Sequence, residues 1–227
     1  MRLKTIPPRV SINPLIAFVE ATERRKISIV KGQKKPLIFK VAPYATARGA
    51  MKNYVKGDFN EECIYDAIKK LKSRCVSSEW ARNDVENSIL ALRHFISINF
   101  PNRVGKIHCS FSKPENKDCL CAGVQITVAP DLIMRWEDNE NRYVGAIKFR
   151  IVKNKLNFTA GRLAASLLSY YLQKSVAEPG EIVDNAHCFF VDVMDDIIYP
   201  APLDISPSLE IINNACYEYS TLWNKVA

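Results

Sequence analysis

The sequence predicts an α+β fold, with a mixed α/β core behind a helical N-terminal lobe. Apolar residues recur every three or four positions as far as about residue 98, which is typical of amphipathic helices. The period then changes to two, as in the alternation of Val and Ile with Gln and Thr over residues 124–128, which is typical of strands. A helical segment, a strand pair and a last helix follow, so helices and strands are interspersed in the second half of the chain.

Local residue patterns support several of the predicted elements. Asn13 and Pro14 suit the first positions of a helix, and Pro101 ends the longest amphipathic pattern. The segment after Thr159 is apolar nearly all round, so we expect it to pack against the sheet. The predicted helices span residues 13–23, 44–55, 60–74, 79–98, 159–175 and 206–223. The predicted strands span residues 37–41, 104–111, 119–129, 131–136, 143–152, 187–194 and 197–201.

The changes of period and charge predict a division of the chain at about residue 76. Residues 1–76 would form a basic, mainly helical lobe, and residues 77–227 an α/β core with an acidic C-terminal part. A single continuous domain is the alternative, since 227 residues suit either one domain of moderate size or a core with an appended lobe.

Charge is distributed unevenly along the chain. The net charge of +8 includes +10 over residues 1–60 and −7 over residues 181–227. This asymmetry predicts contact between the basic end and a polyanion such as nucleic acid, with DNA favoured over RNA. The alternatives are two solvated faces that partly neutralise each other, or docking of the basic lobe on an acidic protein surface, such as a second copy of the chain. The candidate nucleic-acid-binding residues are Arg24, Arg25, Lys26, Lys31, Lys34, Lys35, Arg48 and Lys52.

The composition excludes several classes of protein. With 48% hydrophobic and 25% charged residues, the chain does not resemble a disordered, collagenous or disulfide-scaffold protein. No apolar run approaches the roughly 18 residues of a membrane span, and residues 1–8 lack the apolar segment of a secretory signal. We therefore expect a cytoplasmic protein without membrane contact, whose seven cysteines are reduced.

One group of cysteines raises the question of a metal. His108 and Cys109 are followed by Cys119 and Cys121, and these soft ligands could bind zinc. Structural zinc sites usually have two to four residues between paired cysteines, so the spacing here favours buried strand thiols. A polar turn is likewise favoured over a metal site for the acidic group made up of Asp192, Asp195 and Asp196.

Asp131 and Lys148 are the candidate catalytic residues of the sequence. They lie on two neighbouring predicted strands joined by a short turn, which brings the acid and the lysine side by side on a sheet. A carboxylate in such a position can hold Mg²⁺ through oxygen ligands. A lysine beside it can position a water molecule or offset charge on an attacked phosphate.

These residues resemble the motif of the PD-(D/E)XK nuclease superfamily, which includes restriction endonucleases and the exonuclease domains of RecB-like enzymes. Pro130-Asp131 matches the first half of the motif, Lys148 matches its lysine, and a helix follows. The resemblance implies a restriction-endonuclease-like sheet flanked by helices. It also implies a Mg²⁺ ion held by Asp131 and an upstream acid, matched here by Glu86, with Lys148 assisting attack of water on a phosphodiester. Gln173 is similar to a glutamine that some members carry on the following helix.

Ala146 departs from the family pattern, because it stands where the family has its second acid. Three alternatives follow. The acid could come from elsewhere, with Glu86, Glu137 or Asp138 as candidates; the fold could be kept without catalysis, as a binding or assembly subunit; or Asp131 and Lys148 could form a cross-strand surface pair. We predict a nucleic-acid-binding protein whose catalysis is impaired or absent, with Mg²⁺ as cofactor only if the site is active.

Overall fold

The computed structural model of the protein describes residues 7–35, 43–101 and 109–226 and shows an α+β fold. None of the helices in these ranges is long and apolar enough to cross a membrane. The helices are α1 (Ile12–Val19), α2 (Glu23–Lys34), α3 (Ala45–Lys56), α4 (Glu62–Lys72), α5 (Glu79–Ser97), α6 (Phe158–Ser175) and α7 (Ser206–Lys225). The strands are β1 (Arg9–Ser11), β2 (Ser110–Ser112), β3 (Asp118–Cys121), β4 (Val124–Thr127), β5 (Leu132–Asp138), β6 (Asn141–Arg150), β7 (Glu181–Asp192) and β8 (Ile197–Pro200).

The strands form two mixed sheets. The larger has the order β2-β5-β6-β7-β8, in which β6 and β7 are parallel and connected through α6, while the other neighbours are antiparallel. The smaller has the order β1-β4-β3, with β1 parallel to β4. The turn between β5 and β6 contains Asn139 and Glu140, both with positive φ, and such two-residue turns set the register of a hairpin.

Most of the predicted elements are present, with three main differences in the described ranges. The short strand β1, which pairs with β4, is not among the predicted strands. A helix, α2, occupies the stretch where the sequence shows only a basic segment, because just Ile29 and Val30 of its apolar residues are buried and the helical period is faint. The predicted strand over residues 119–129 is a hairpin, since Ala122 and Gly123 take positive φ between β3 and β4. The predicted strand over residues 37–41 and most of that over 104–111 lie outside the described residues.

The larger sheet is covered on both faces. Ala146 and Phe190 belong to the face that packs against α1, α2, α6, α7 and the smaller sheet, which we call the α6 face. Ile147 and Phe189 belong to the opposite face, which packs against α3, α4 and α5 and which we call the α5 face. The described part of residues 1–76 therefore contributes to both cores, with α1 and α2 on one face and α3 and α4 on the other.

Gly161 positions α6 directly against β8. A Cβ atom at this residue would overlap the ring of Tyr199, which is buried and donates a hydrogen bond to the Leu156 carbonyl at 3.1 Å. Overpacking of a core typically costs about 1–3 kcal/mol. We therefore expect Gly161→Ala to lower the free energy of unfolding by about this amount in urea titrations, although alanine is the better helix former.

Gly49 supplies the matched control for that substitution. It lies within α3, and a Cβ atom there would meet no other atom within 4 Å. Gly49→Ala should therefore raise stability by up to about 1 kcal/mol through helix propensity alone. Equal effects of the two substitutions would contradict the packing of α6 described here.

Candidate functional site

Asp131 and Lys148 lie opposite each other where β5 begins and β6 ends. The pairing of these strands begins with Leu132 opposite Ile147, and the Asp131 amide donates to the Ile147 carbonyl at 2.8 Å. Continuing this register by one residue places Asp131 across from Lys148. The structure therefore puts the acid and the lysine of the candidate motif at one end of the larger sheet.

The Asp131 carboxylate is occupied by donors from the protein itself. It accepts hydrogen bonds from Arg48 Nη1 at 2.9 and 3.0 Å and from the Phe149 amide at 2.8 Å. The same guanidinium donates to the Phe149 carbonyl at 3.0 Å. Asp131 thus accepts from the Phe149 amide and Arg48 donates to the Phe149 carbonyl, so both main-chain polar groups of this residue are paired where β5 no longer reaches them. Only 8% of the Asp131 side chain is exposed.

Lys148 is the buried cation of this group. Its Nζ donates to the Ala129 carbonyl at 2.7 Å. Burial lowers the pKa of Lys148 to about 8; Arg48 and Lys117 act in the same direction, and Asp131 opposes them. The Lys148 ammonium is therefore held by the Ala129 carbonyl, and the charge of the nearby Asp131 carboxylate favours its protonated form.

The other predicted members of a nuclease site are not assembled around Asp131. Ala146 is fully buried between Ile133 and Cys188 on the α6 face, and Glu86 is exposed on α5. Glu137 is six residues along β5 from Asp131, which corresponds to ~20 Å, and Asp138 is farther still. Among the described residues, no group of three or more His, Cys, Asp and Glu side chains is arranged to hold a metal ion. Gln173 is exposed late in α6.

Two of the predicted nucleic-acid-binding lysines are used inside the molecule. Lys26 Nζ lies 2.7 and 2.8 Å from the carboxylate oxygens of Glu218, and Lys34 donates to the Val226 carbonyl and lies over the ring of Trp223. Together these contacts attach α2 to α7. Part of the charge asymmetry is therefore neutralised within the protein.

The remaining predicted cations differ in how accessible they are. Arg48 is engaged with Asp131, and Lys52 is half-buried on α3. The exposed members all belong to α2 or to the residue that follows it; they are Arg24, Arg25, Lys31 and Lys35. Arg24 and Lys31 are seven residues apart, so they lie on the same side of the helix.

A cleft of about 740 Å³ opens between α1, α2 and the loop that connects β6 to α6. Its basic lining residues are Arg25 of α2, Arg150 at the end of β6 and Lys155 of the loop, and Glu20 is the acid among the described lining residues. Arg150 and Lys155 are paired with Asp192 and Asp195. Arg150 is two residues after Lys148 on the same strand, so the cleft and the Asp131–Lys148 pair share one end of the sheet. Sequence reasoning missed Arg150 and Lys155 because they lie outside the basic N-terminal segment.

Arg150 forms a buried ion pair at the floor of this cleft. Its Nη1 lies 2.6 Å from Asp192 Oδ2, and the side chains are 8% and 1% exposed. Burial raises the pKa of Asp192, while Arg150 lowers it. Asp195 and Asp196 face Lys155 at 3.2 Å and His94 at 3.0 Å. This acidic turn is therefore a set of ion pairs and hydrogen bonds with basic partners.

The cysteines of the sequence cluster are free thiols where the structure describes them. Cys119 and Cys121 are buried in β3, and Cys109 is half-buried. Burial raises the pKa of Cys119 to about 12, which makes its thiolate inaccessible at neutral pH. His108 lies outside the described residues.

Comparison with models of known families finds no match, and comparison with curated proteins finds none either. The functional interpretation therefore depends on the geometry around Asp131 and Lys148 and on the basic residues of α2 and the neighbouring cleft.

Proposed function

We propose that this protein binds nucleic acid through the cleft and the exposed side of α2, and that it does so without cleaving phosphodiester bonds at Asp131. The observation that carries the proposal is the contact between Arg48 and Asp131 beside a cleft that has Arg25 and Lys155 in its lining. The order of elements, with the aspartate strand, the lysine strand and then a helix, agrees with the nuclease resemblance. The proposed role is therefore that of a binding or assembly subunit.

The residues around Asp131 do not fit a Mg²⁺ ion. Mg²⁺ requires a near-octahedral set of oxygen ligands, usually with one or two carboxylates. Here the guanidinium of Arg48 holds the one carboxylate, and Ala146 contributes a methyl group where a second would stand. A divalent cation at this place would also be repelled by Arg48 and by Lys148.

The cleft and α2 have the charge and chemistry that phosphates require. Arg25 and Lys155 lie at the cleft, and Arg24 and Lys31 continue the basic surface along the outer side of α2. Asn13, Gln33 and Asn154 supply amide groups at the same place, which suits hydrogen bonds to phosphate and sugar oxygens. Such contacts position a nucleic acid and make its binding dependent on salt.

The binding test uses fluorescence anisotropy with a short labelled DNA duplex and the matching RNA over a series of salt concentrations. We expect the triple variant Arg24→Glu, Arg25→Glu, Lys31→Glu to weaken binding by about tenfold or more. We also expect its salt dependence to decrease by about 1 in slope for each lost phosphate contact. The matched control reverses Lys69, Lys70 and Lys72, which are exposed on α4 at the α5 face.

The control should retain nearly the wild-type affinity, since only its net charge has changed. Equal losses in the two triple variants, or no binding by the wild type at low salt, would refute the proposed surface. Plasmid nicking with Mg²⁺ or Mn²⁺ tests the second half of the proposal. Nicking by the wild type that Asp131→Ala abolishes would establish the nuclease alternative instead.

A further inference from the structure

The cleft between α1, α2 and the loop after β6 is lined by apolar side chains as well as by cations. Ala17 of α1 and Val152 of the loop are exposed there, and Leu156 is half-buried. Arg150 also belongs to the lining, but Asp192 neutralises it at 2.6 Å. A phosphate alone would make no use of this apolar lining, because an anion gains nothing by exchanging water for hydrocarbon.

Polar side chains in the same cleft are open to a ligand. Asn13 of α1, Ser28 of α2 and Asn154 of the loop line it, and their side chains make no hydrogen bond to any residue that the structure describes. Ser28 and Asn154 are exposed, and Asn13 is half-buried. An amide both donates and accepts, as the edge of a nucleobase does, whereas a phosphate diester only accepts. These side chains therefore suit a base better than a phosphate.

Arg25 supplies the positive charge that the phosphate next to such a base requires. It is exposed on α2, and its side chain makes no ion pair or hydrogen bond within residues 7–35, 43–101 and 109–226. Lys155 is 83% exposed and lies 3.2 Å from Asp195. Glu20 already accepts hydrogen bonds from Asn157 Nδ2 at 2.7 and 2.9 Å. The apolar, amide and cationic groups together match a nucleotide, which has a flat base with polar edges and a phosphate.

The size of the cleft and the structure of a duplex indicate that the base is unpaired. The volume of about 740 Å³ lies within the roughly 300–1,000 Å³ of small-molecule sites, which is enough for a base with its sugar. Bases in a duplex are stacked and paired, so one of them enters a cleft only at the cost of unstacking and unpairing. A base of a single strand turns outward without breaking a pair.

We propose that this cleft takes up one unpaired base of a single-stranded nucleic acid, with the adjoining phosphate on Arg25. The inference rests on the proposed function, since it specifies which form of nucleic acid the basic surface of α2 receives. Phosphates of a duplex and of a single strand both contact α2, and only the single strand gains the additional contact inside the cleft.

Gly32 offers a way to close the cleft without disturbing the core. It lines the cleft on α2, and a Cβ atom there would meet no other atom within 4 Å. Helical side chains lean toward the preceding turn, so the side chain introduced by Gly32→Leu would lie over Ser28 and Ile29 of the lining. Leucine fills space without adding a ring on which a base could stack. Gly49 of α3 has the same open surroundings, so Gly49→Leu is the matched control.

The test uses fluorescence anisotropy with labelled ligands of equal length. They are an oligothymidylate strand, the same sugar-phosphate chain with abasic sites, and the duplex of the thymidine strand with its complement. We expect the wild type to bind the thymidine strand about tenfold more tightly than the abasic strand, because only the former has a base for the cleft. Gly32→Leu should bind both strands equally and leave duplex binding unchanged, and Gly49→Leu should keep the tenfold preference.

Salt and one surface variant separate the base contact from the phosphate contacts. Raising the salt concentration weakens the phosphate contacts of both strands, so the ratio of their affinities should change little. Lys31 is exposed on α2 and is not among the described residues that line the cleft. Lys31→Glu should therefore weaken the binding of the thymidine and abasic strands by the same factor.

The outcomes distinguish this inference from the proposed function. Equal binding of the thymidine and abasic strands, or a preference that Gly32→Leu retains, would overturn the base site and leave the basic surface of α2 standing. Thymidine monophosphate that competes as strongly as the strand would assign the cleft to a free nucleotide and would also overturn the inference. Failure of every strand and of the duplex to bind at low salt would refute the proposed function itself. Thermal unfolding of both leucine variants shows that they are folded.

Discussion

Replacement of Arg150 by methionine is expected to lower the free energy of unfolding by about 3–5 kcal/mol, because it leaves a buried carboxylate without its cation. The pair is close, at 2.6 Å, and both side chains are almost wholly buried. Arg150 also donates to the Asn154 carbonyl at 2.6 Å, so the substitution removes a second contact. Guanidinium chloride titrations followed by circular dichroism measure the change.

The loss should depend on pH. Burial raises the pKa of Asp192 in the folded protein, so the folded state binds this proton more strongly than the unfolded state does. The contribution of Asp192 to stability is therefore most favourable below its unfolded pKa and decreases as pH rises through the raised value. Since Arg150 lowers that pKa, its removal extends the decrease to higher pH. Arg150→Met should be more destabilising near neutral pH than near about pH 5.

Two further variants control this prediction. Lys155→Met removes the partner of Asp195 in a pair whose lysine is 83% exposed, so it should cost only about 0–1 kcal/mol. Arg150→Met combined with Asp192→Leu replaces the whole pair by apolar groups and should recover most of the loss. A loss in Arg150→Met no larger than that in Lys155→Met would mean that the pair is not important for stability.

The second large effect is expected at Asp131. Asp131→Ala should cost about 2–3 kcal/mol, because it removes the partner of Arg48 and of the Phe149 amide at once. The cost should be smaller than at Arg150, since 28% of the Arg48 side chain is exposed and water can replace part of the contact. Asp131→Asn, which keeps an acceptor for the amide, should lie between alanine and wild type.

Stability measured without metal also separates the structural role of Asp131 from a catalytic one. Carboxylates gathered around a metal repel one another when it is absent, so removing one of them would be neutral or stabilising. Glu86→Ala is the control, because Glu86 is exposed on α5 and its loss should stay within about 0.5 kcal/mol. An Asp131→Ala variant as stable as Glu86→Ala would favour the catalytic interpretation.

The sequence predicts those parts of the site that depend on local pattern. The apolar runs of β5 and β6 and the short turn between them suffice to place Asp131 beside Lys148. The partner of Asp131 could not be predicted, since Arg48 comes from a helix 83 residues earlier and reaches the sheet only through tertiary packing. The pairing of Arg150 with Asp192 likewise depends on the parallel alignment of β6 and β7 across α6.

The same distinction explains why the sequence does not predict helix α2. Its residues are mostly polar or charged, so no amphipathic stripe identifies a helix. The helix is held instead by partners far along the chain, as in the contact of Lys26 with Glu218. Cations that appear free in the sequence can therefore be internal in the fold, and exposure cannot be predicted from charge alone.

The attachment of α2 to α7 has a consequence for biosynthesis. Lys26 and Glu218 are 192 residues apart, and Tyr219 of α7 also donates to the Arg9 carbonyl at 3.0 Å beside β1. The layer that contains β1, α1 and α2 cannot complete its packing until the ribosome has made α7. The basic segment therefore emerges before its acidic partner and stays without it while the residues between Lys26 and Glu218 are made, when chaperones and polyanions in the cell have the best access to it.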